Sequence, residues 1–262
     1  MSYQCILFEV KEGIARLTLN RPERLNSFNT QMHEEVRAAL AAIPASSARV
    51  LVISGAGRGF CAGQDLNDRA VAPGGGPPDL AASIEKYYKP LVLALRSLPM
   101  PVIAAVNGVA AGAGANIALA CDLVIAARSA NFVQAFSKLG LVPDSGGTWF
   151  LPRLVGTARA LGLTLLGDKL SAEQAVSWGL IWRCVEDAEL AGVVDGLARQ
   201  LAVAPTRGLA RTRQAICESW GRTLEQQLDT ERDYQGELGR TADYAEGVAA
   251  FGAKRAPNFT GR

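Results

Sequence analysis

The stretch Pro101–Cys121 reads PVIAAVNGVAAGAGANIALAC and contains no charged residue. Its first six residues, Pro101–Val106, are apolar, which predicts a buried strand. The glycines of Asn107–Gly114 predict a turn, and Ala115–Cys121 predicts a short helix. Because backbone N–H groups at such a turn can point at a ligand oxygen, the turn is a candidate binding site.

Three other interpretations of this stretch are weaker. The stretch is long enough to span a membrane. Its two asparagines and many alanines and glycines, however, weaken the hydrophobic driving force for insertion into a bilayer. Gly112-Ala113-Gly114 offers part of a dinucleotide fingerprint, but Ile117 stands where Gly or Ala is required. Close packing of backbones alone would also explain the glycines. A second glycine turn argues against that last explanation.

This other glycine-rich turn lies earlier in the chain. It is GAGRGFCAGQD, residues 55–65, and it follows an apolar strand at Arg49–Ser54. No Gly-Lys-Ser/Thr follows it, so it is not a phosphate-binding P-loop. Two turns, each at the exit of a buried strand, can bring one N–H apiece to a common point. That is the geometry of an oxyanion hole, in which N–H groups stabilise a negatively charged oxygen.

Composition narrows the class of protein. The chain has 262 residues and 49% hydrophobic content, which supports a sizeable core. A net charge of +2 is too small to indicate a nucleic-acid partner. Five cysteines without a C-x-x-C pair predict neither disulfides nor a zinc site. No secretion signal is visible at the amino terminus, so we expect a cytoplasmic protein.

His33 is the single histidine, so a Ser-His-Asp hydrolase or an H-E-x-x-H metalloenzyme would have to depend on it. It lies in a predicted helix at Thr30–Ile43, with Thr30 as N-cap, and is expected on the helix surface. Acid/base chemistry must then fall to a carboxylate, Lys, Tyr or Cys.

The overall pattern predicts an α/β protein that becomes helical after Ser171, the expected N-cap of a helix. Strands are predicted at Cys5–Val10, Ile14–Leu19, Val50–Ile53, Val102–Val106 and Leu123–Ala127, and helices near residues 30–43, 83–97 and 115–121. The later helices are expected near residues 187–203, 206–219, 223–239 and 243–254. Residues 70–79, rich in Pro and Gly, form a break that is equally consistent with a loop over the site and with an inert surface loop.

Several segments together resemble the crotonase, or enoyl-CoA hydratase/isomerase, superfamily over nearly the whole chain. They are Asn20-Arg21-Pro22 with Leu25–Phe28, Phe60–Leu66, Asn107–Asp122, Leu139–Thr148 and Gly247–Phe259. Within the superfamily, the runs GRGFCAGQDLNDR, FSKLGLVPDSGGTWFLPR and ERDYQ most resemble isomerases that act on the ring 1,2-epoxide of phenylacetyl-CoA.

The resemblance implies a crotonase-like α/β fold. Residues 1–196 would form a spiral core of ββα repeats that holds the CoA and catalytic site, and residues 197–262 a C-terminal helical oligomerisation region. The expected assembly is a homotrimer or a dimer of trimers that binds an acyl-CoA. We expect no metal, no cofactor beyond the CoA of the substrate, no nucleic acid and no membrane partner.

The resemblance also assigns the reacting groups. The backbone N–H groups of Gln64 and Ala113 would form the oxyanion hole, although the family usually has glycine at the second position. The two glutamates of the hydratases fall on Asn116 and Phe136, so ordinary hydratase activity should be absent. Asp144 matches the carboxylate of the isomerases, but its local sequence fits the N-cap of the next helix equally well.

The remaining assignments concern CoA and the acyl group. The expected CoA contacts are the backbone of Ala62, Gly63 and Asp65 for the adenine, Arg24 near the phosphates, and Phe251 and Lys254 from a neighbouring subunit. Asp65 is equally expected only to brace its loop. An aromatic acyl pocket would use Phe28, Phe136, Trp149 and Phe150, although such residues more often pack in a core.

One carboxylate can take a proton from one carbon and return it to another, so isomerisation needs neither water nor a redox cofactor. The expected reaction is the conversion of the ring epoxide to an oxepin, or the shift of a 3-enoyl-CoA double bond to C2. An aryl-CoA dehalogenase is an alternative in which Asp144 is the nucleophile and a histidine is usually needed. A noncatalytic CoA-binding subunit, with Asp144 as a cap, is another.

Overall fold

A computed structural model describes residues 3–68 and 78–262, and its strands form two sheets. The larger sheet has the order β1-β2-β3-β5-β7-β10, and the smaller has the order β4-β6-β8-β9. The strands are β1 (Ile6–Lys11), β2 (Ile14–Leu19), β3 (Val50–Gly55), β4 (Gly59–Cys61), β5 (Val102–Val106), β6 (Val109–Ala111), β7 (Leu123–Ala127), β8 (Asn131–Val133), β9 (Lys169–Ser171) and β10 (Arg183–Val185).

Helices cover both sheets and form the carboxyl-terminal part of the chain. They are α1 (Thr30–Ala42), α2 (Leu80–Ser83), α3 (Lys89–Ser97), α4 (Ala113–Leu119), α5 (Gly147–Val155), α6 (Thr157–Leu166), α7 (Ala172–Ser177), α8 (Leu190–Ala202), α9 (Thr206–Glu218), α10 (Leu224–Leu238) and α11 (Ala242–Gly252). A π-helical turn, Ile84–Tyr88, joins α2 to α3. The prediction of an α/β protein with a helical end is confirmed.

The larger sheet forms the core. Strands β1 and β2 pair antiparallel, and β2, β3, β5, β7 and β10 then run parallel. Every residue of β5 is buried, as expected for a parallel strand covered on both faces. This burial explains why the strand is a continuous apolar run rather than an alternating one.

Successive strands alternate between the two sheets. The chain leaves β3 for β4, β5 for β6, and β7 for β8, so each turn of the chain adds one strand to each sheet. Helix α4 follows the second of these strand pairs, and a 3₁₀ turn and α5 follow the third. This arrangement is the spiral of ββα repeats that the resemblance implied.

Of the two predicted helix N-caps, one is confirmed and the other is wrong. Ser171 caps α7 as predicted, because its hydroxyl accepts the N–H of Gln174 at 3.2 Å. Thr30 is not the cap of α1. Asn29 precedes the helix in extended backbone and its Oδ1 accepts the N–H of Met32 at 2.9 Å. An asparagine can accept this hydrogen bond as well as a threonine, so local sequence did not separate them.

The predicted surface position of His33 is wrong. The side chain is 5% exposed, and its ring centroid lies 4.6 Å from that of Phe28 and 4.5 Å from that of Tyr88. Tyr87 stacks on it at 4.9 Å. The π-helical turn that carries both tyrosines packs on the face of α1 that bears His33. The sequence around the histidine does not predict this tertiary contact.

Helix α8 spans the expected boundary between residues 196 and 197. Its residues Val194, Ala198 and Ala202 are buried, and the helix packs against β3, β5 and β7 of the larger sheet. Residues on both sides of that boundary therefore belong to one helix on the sheet.

Two arginines attach the later helices to the core. The guanidinium of Arg213, in α9, donates to the carboxylate of Asp122 and, at 2.7 Å, to the carbonyl of Leu98. The guanidinium of Arg49 donates to the hydroxyl of Thr206 at 2.8 Å and to the carbonyl of Phe259 at 3.0 Å.

The predicted break at residues 70–79 falls almost entirely on residues 69–77, which lie outside the described residues. Within residues 3–68 and 78–262, the structure has no helix that is both long enough and apolar enough to span a membrane.

Gly114 should resist replacement. A β-carbon there would overlap the carbonyl oxygen of Cys61 and lie 2.7 Å from the Cys61 β-carbon. We expect Gly114→Ala to lower the free energy of unfolding by about 1–3 kcal/mol, a usual cost of overpacking. Gly162→Ala is the matched control, because a β-carbon in that helix meets nothing within 4 Å, and it should raise stability by about 0.5–1 kcal/mol. Urea unfolding at one fixed protein concentration measures both, and equal effects would contradict the packing argument.

Candidate functional site

Both glycine turns lie at one edge of the smaller sheet. Strands β4, β6 and β8 are neighbours and run parallel, so their carboxyl ends share that edge. The first turn in chain order, at residues 55–65, contains β4 and ends beyond it, and the second, at Asn107–Gly114, contains β6 and ends beyond it. The N–H of Gly112 donates to the carbonyl of Val133 at 2.8 Å, which ties the second turn to the end of β8. Ligands of open parallel sheets commonly bind at this edge.

The two turns are in direct main-chain contact. A β-carbon at Gly63 would lie 2.9 Å from the carbonyl oxygen of Ala111 and 3.4 Å from the backbone nitrogen of Ala113. Gly63 also has a φ of +90°, a backbone conformation that residues other than glycine rarely adopt. The residue after Gly63 and the first residue of α4 therefore lie close together.

The N–H groups assigned to the oxyanion hole are available for a ligand. Within the described residues, neither Gln64 nor Ala113 donates its backbone N–H to a protein acceptor. Ala113 is the first residue of α4, where an N–H has no partner inside the helix. The left-handed φ of +53° falls on Gly112, not on Ala113. Alanine at 113 therefore needs no unusual backbone conformation.

The side chain of Gln64 is held by a buried tyrosine that the sequence did not reveal. The hydroxyl of Tyr88 donates to Oε1 of Gln64 at 2.8 Å, and Nε2 of Gln64 donates to the carbonyl of Asp65 at 3.2 Å. Tyr88 is fully buried and ends the π-helical turn. Such a turn interrupts the 3.6-residue period, so a helical pattern does not show which way Tyr88 points.

Asp65 braces the first turn. Burial alone would raise the pKa of its carboxyl, but hydrogen bonds from Arg21 and the N–H of Asn67 and the charge of Arg21 leave that pKa below its ordinary value. The ion pair with Arg21 is 2.8 Å long. The carboxylate is thus charged and engaged within the protein. The Asp65 backbone is engaged as well, because its N–H donates to the carbonyl of Phe28 at 2.8 Å and its carbonyl accepts the N–H of Asp68 at 3.1 Å.

Cys61, in the same turn, is not a candidate acid or base. Burial raises the pKa of its thiol to about 12, so the thiol is neutral near pH 7.

Asn116 is fully buried in α4, three residues after Ala113. Its Nδ2 donates to the main-chain carbonyl of Asp144 at 2.8 Å, and its Oδ1 accepts from Nε2 of Gln134 at 2.8 Å. Residues three apart share a face of a helix, so Asp144 lies against the face of α4 that begins at the second turn. Sequence reasoning gave Asn116 only a negative role, as a lost glutamate, and missed this contact.

The carboxylate of Asp144 does not cap α5. The cap of that helix is Gly146, without a side-chain hydrogen bond. Instead, the hydroxyl of Ser145 donates to Oδ1 of Asp144 at 2.9 Å, and the main-chain carbonyl of Asp144 accepts the N–H of Gly147 at 2.9 Å. The N-cap interpretation is therefore wrong, because two left-handed residues separate Asp144 from the helix.

The aromatic side chains divide between site and core. Phe136 borders the second turn, since a β-carbon at Gly112 would lie 3.7 Å from its Cζ. Phe28 is 1% exposed and belongs to the core beside His33. Trp149 and Phe150 pack edge to face at 5.0 Å and border a cavity of about 1320 Å³ between the core and α9.

The residues expected to bind CoA lie on separate elements of the chain. Arg24 is exposed in a 3₁₀ turn, and Phe251 and Lys254 are exposed at the end of α11. In the first turn, the Ala62 N–H donates to Leu25 and the Gly63 carbonyl accepts from Phe28, so these groups are used within the protein. Within the described residues, no three His, Cys, Asp or Glu side chains are grouped as metal ligands.

Comparison with known proteins places these features in a family. The model of the family described as Enoyl-CoA hydratase/isomerase matches residues 9–262. The chain is 60% identical over 258 residues to the 1,2-epoxyphenylacetyl-CoA isomerase of Escherichia coli (strain K12), with 98% of each chain covered. It is 49% identical over 262 residues to a protein of Rhodobacter capsulatus named "Probable enoyl-CoA hydratase", with both chains fully covered. The crystal structure of enoyl-CoA hydratase from Bacillus anthracis has a TM-score of 0.91 at 32% identity and covers 99% of this chain and 100% of its own. The chain belongs to the enoyl-CoA hydratase/isomerase family.

Proposed function

We propose that the protein is an isomerase of acyl-CoA thioesters in which Asp144 moves the proton and the N–H groups of Gln64 and Ala113 hold the thioester oxygen. The observation that carries the proposal is the placement of Asp144 against α4, the helix that begins at Ala113. This placement supports a role for Asp144 beside the helix whose first residue supplies one of the two N–H groups.

The chemistry follows from the acidity of a thioester. Removal of a proton from the α-carbon gives an enolate, and its negative oxygen accepts hydrogen bonds from the two N–H groups. Each such donor contributes about 2.7–4 kcal/mol in the transition state of comparable enzymes. With a 3-enoyl-CoA, Asp144 takes a proton from C2 and returns one to C4, so the double bond moves to C2. Atoms and charge balance without water, and we propose no cofactor beyond the CoA of the substrate.

We propose the ring 1,2-epoxide of phenylacetyl-CoA as the principal substrate. The 60% identity to the Escherichia coli isomerase of that name supports this choice. In this substrate, the carbon–carbon bond shared by the epoxide and the ring opens to give an oxepin. Asp144 moves a proton from the α-carbon to a ring carbon. Phe136, beside the second turn, offers an apolar surface for the ring.

We further propose a trimer, or a pair of trimers, with the tail of one subunit completing the CoA site of the next. Exposed apolar side chains on α6, α10 and α11 support an interface. They include Leu161, Leu165, Leu224, Leu228, Val248 and Phe251, all more than half exposed in the single chain. Lys254, with a φ of +51° just beyond α11, would meet the 3′-phosphate of CoA, and Arg24 the other phosphates.

Asp144→Asn tests the acid/base assignment. It should lower isomerisation of 3-hexenoyl-CoA by at least about a hundredfold, the low end of general-base contributions, with CoA affinity and unfolding unchanged. Asp168→Asn removes an exposed carboxylate and serves as the control, which should keep normal turnover. Wild-type reaction in heavy water should place deuterium in the 2-enoyl product. Normal turnover by Asp144→Asn would contradict the assignment, and halide release from chlorobenzoyl-CoA would favour a dehalogenase instead.

Hydration of crotonyl-CoA should be negligible in the wild type. Asn116 uses its amide to hold the Asp144 carbonyl, and Phe136 has no group that can deprotonate water. Asn116→Glu/Phe136→Glu should gain trace hydration at most and lose both stability and isomerase activity. The glutamate at 116 would replace a donor to that carbonyl with a carboxylate. Product analysis by chromatography measures water addition, and rapid hydration by the wild type would overturn the isomerase assignment.

Lys254→Ala tests the contribution of the neighbouring subunit. It should weaken binding of CoA more than binding of dephospho-CoA, because only CoA carries the 3′-phosphate. Lys11→Ala, at an exposed residue of β1, is the control and should affect neither ligand. Isothermal titration of the assembled protein gives both affinities. Equal losses for the two ligands would refute the contact.

A further inference from the structure

Ser145 has a backbone conformation that its residue type disfavours. Its φ is +51°, in the left-handed region, and the next residue, Gly146, has a φ of +83°. Glycine occupies such positions without a steric penalty, whereas a serine there costs free energy. The chain thus has glycine at the second left-handed position and serine at the first.

The serine side chain has one visible use. Its Oγ donates to Oδ1 of Asp144 at 2.9 Å, and Ser145 is 6% exposed. Successive side chains of an extended backbone point to opposite sides, so neighbouring side chains seldom meet. The left-handed turn at Ser145 brings its hydroxyl to the same side as the preceding carboxylate. The strained conformation and the hydrogen bond are therefore parts of one arrangement.

The main chain of Asp144 is fixed independently. Nδ2 of Asn116 and the N–H of Gly147 both donate to its carbonyl, at 2.8 Å and 2.9 Å. Neither bond restrains rotation of the carboxylate about its own side-chain bonds, whereas the Ser145 hydroxyl does. A base is efficient only when it is held within hydrogen-bond reach of the carbon acid, in the correct orientation.

We propose that Ser145 is a positioning residue that orients the carboxylate of Asp144 for proton transfer. This inference rests on the proposed function of Asp144. It adds that the strained serine reduces stability relative to glycine and increases turnover.

Two substitutions separate positioning from stability. Ser145→Gly removes the hydroxyl and relieves the strain, and Ser145→Ala removes the hydroxyl and keeps the strain. Both should lower kcat for 3-hexenoyl-CoA about tenfold with little change in KM, because a hydrogen bond to a charged group is lost in each. Ser145→Gly should melt at or above the wild-type temperature, and Ser145→Ala should melt below Ser145→Gly. Glu12→Gly is the control, since it relieves the same type of strain at an exposed turn and should raise stability without changing kcat.

A double substitution shows whether the serine acts through Asp144. Asp144→Asn/Ser145→Gly should be no slower than Asp144→Asn alone, because coupled residues do not add their effects. Normal kcat in Ser145→Gly, or a loss confined to the less stable Ser145→Ala, would overturn the positioning role. A further tenfold loss in the double variant would also overturn it. If Asp144→Asn itself keeps normal turnover, the proposed function fails, and that result is distinct from a failure of Ser145 alone.

Discussion

Main-chain atoms of the two glycine turns pack directly against each other, and the candidate site depends on this contact. Gly114 leaves no space for a β-carbon beside Cys61, and Gly63 leaves little beside Ala111. Strands β4 and β6 contribute only three residues each to the smaller sheet, so a short ladder alone would fix them weakly. Because the proposed oxyanion donors are backbone N–H groups, no side-chain replacement deletes them. A replacement can only displace them by separating the turns.

The chemistry around this fixed pair of donors depends on a few side chains. An enolate oxygen needs the same two N–H groups whatever reaction follows. The position of the acid or base then selects the reaction. In the proposed assignment, an amide at Asn116 and a phenyl ring at Phe136 occupy the two positions to which the resemblance assigns the hydratase carboxylates. Asn116 supports the Asp144 backbone. An asparagine at this position thus offers no water-activating carboxylate, and it holds the backbone of the proposed acid/base residue.

The sequence predicted the long and apolar elements well. Strands β2, β5 and β7 have their predicted bounds, because continuous apolar runs and flanking turn residues mark buried parallel strands. The three-residue strands of the smaller sheet, such as β8, were not predicted, because a period of two cannot be recognised in three residues. The glycine turns were located from composition alone. Their assignment to an oxyanion hole also needed the family resemblance.

Side-chain placement was harder to predict, for separate physical reasons. His33 is buried because a tertiary contact overrides the polarity of a lone histidine in a helix. Tyr88 reaches Gln64 from a π-helical turn, which shifts the helical period by one residue. Ser145 has a left-handed backbone that its residue type does not suggest. Each of these features depends on the assembled backbone, and local patterns carry little information about it.

The arginine attachments of the tail have a consequence for how the molecule opens. Arg213 holds Asp122, and the other oxygen of that carboxylate accepts the N–H of Val102, the first residue of β5. Arg49 holds the chain near both ends of the tail, at Thr206 and Phe259. Detachment of α9 would remove Arg213 from the Asp122 carboxylate, which would keep its longer, 3.5 Å ion pair with Arg96, and would loosen the start of the central strand. Helix and sheet should therefore behave as one cooperative unit in native-state hydrogen exchange, and the tail should not fray as a separate subdomain.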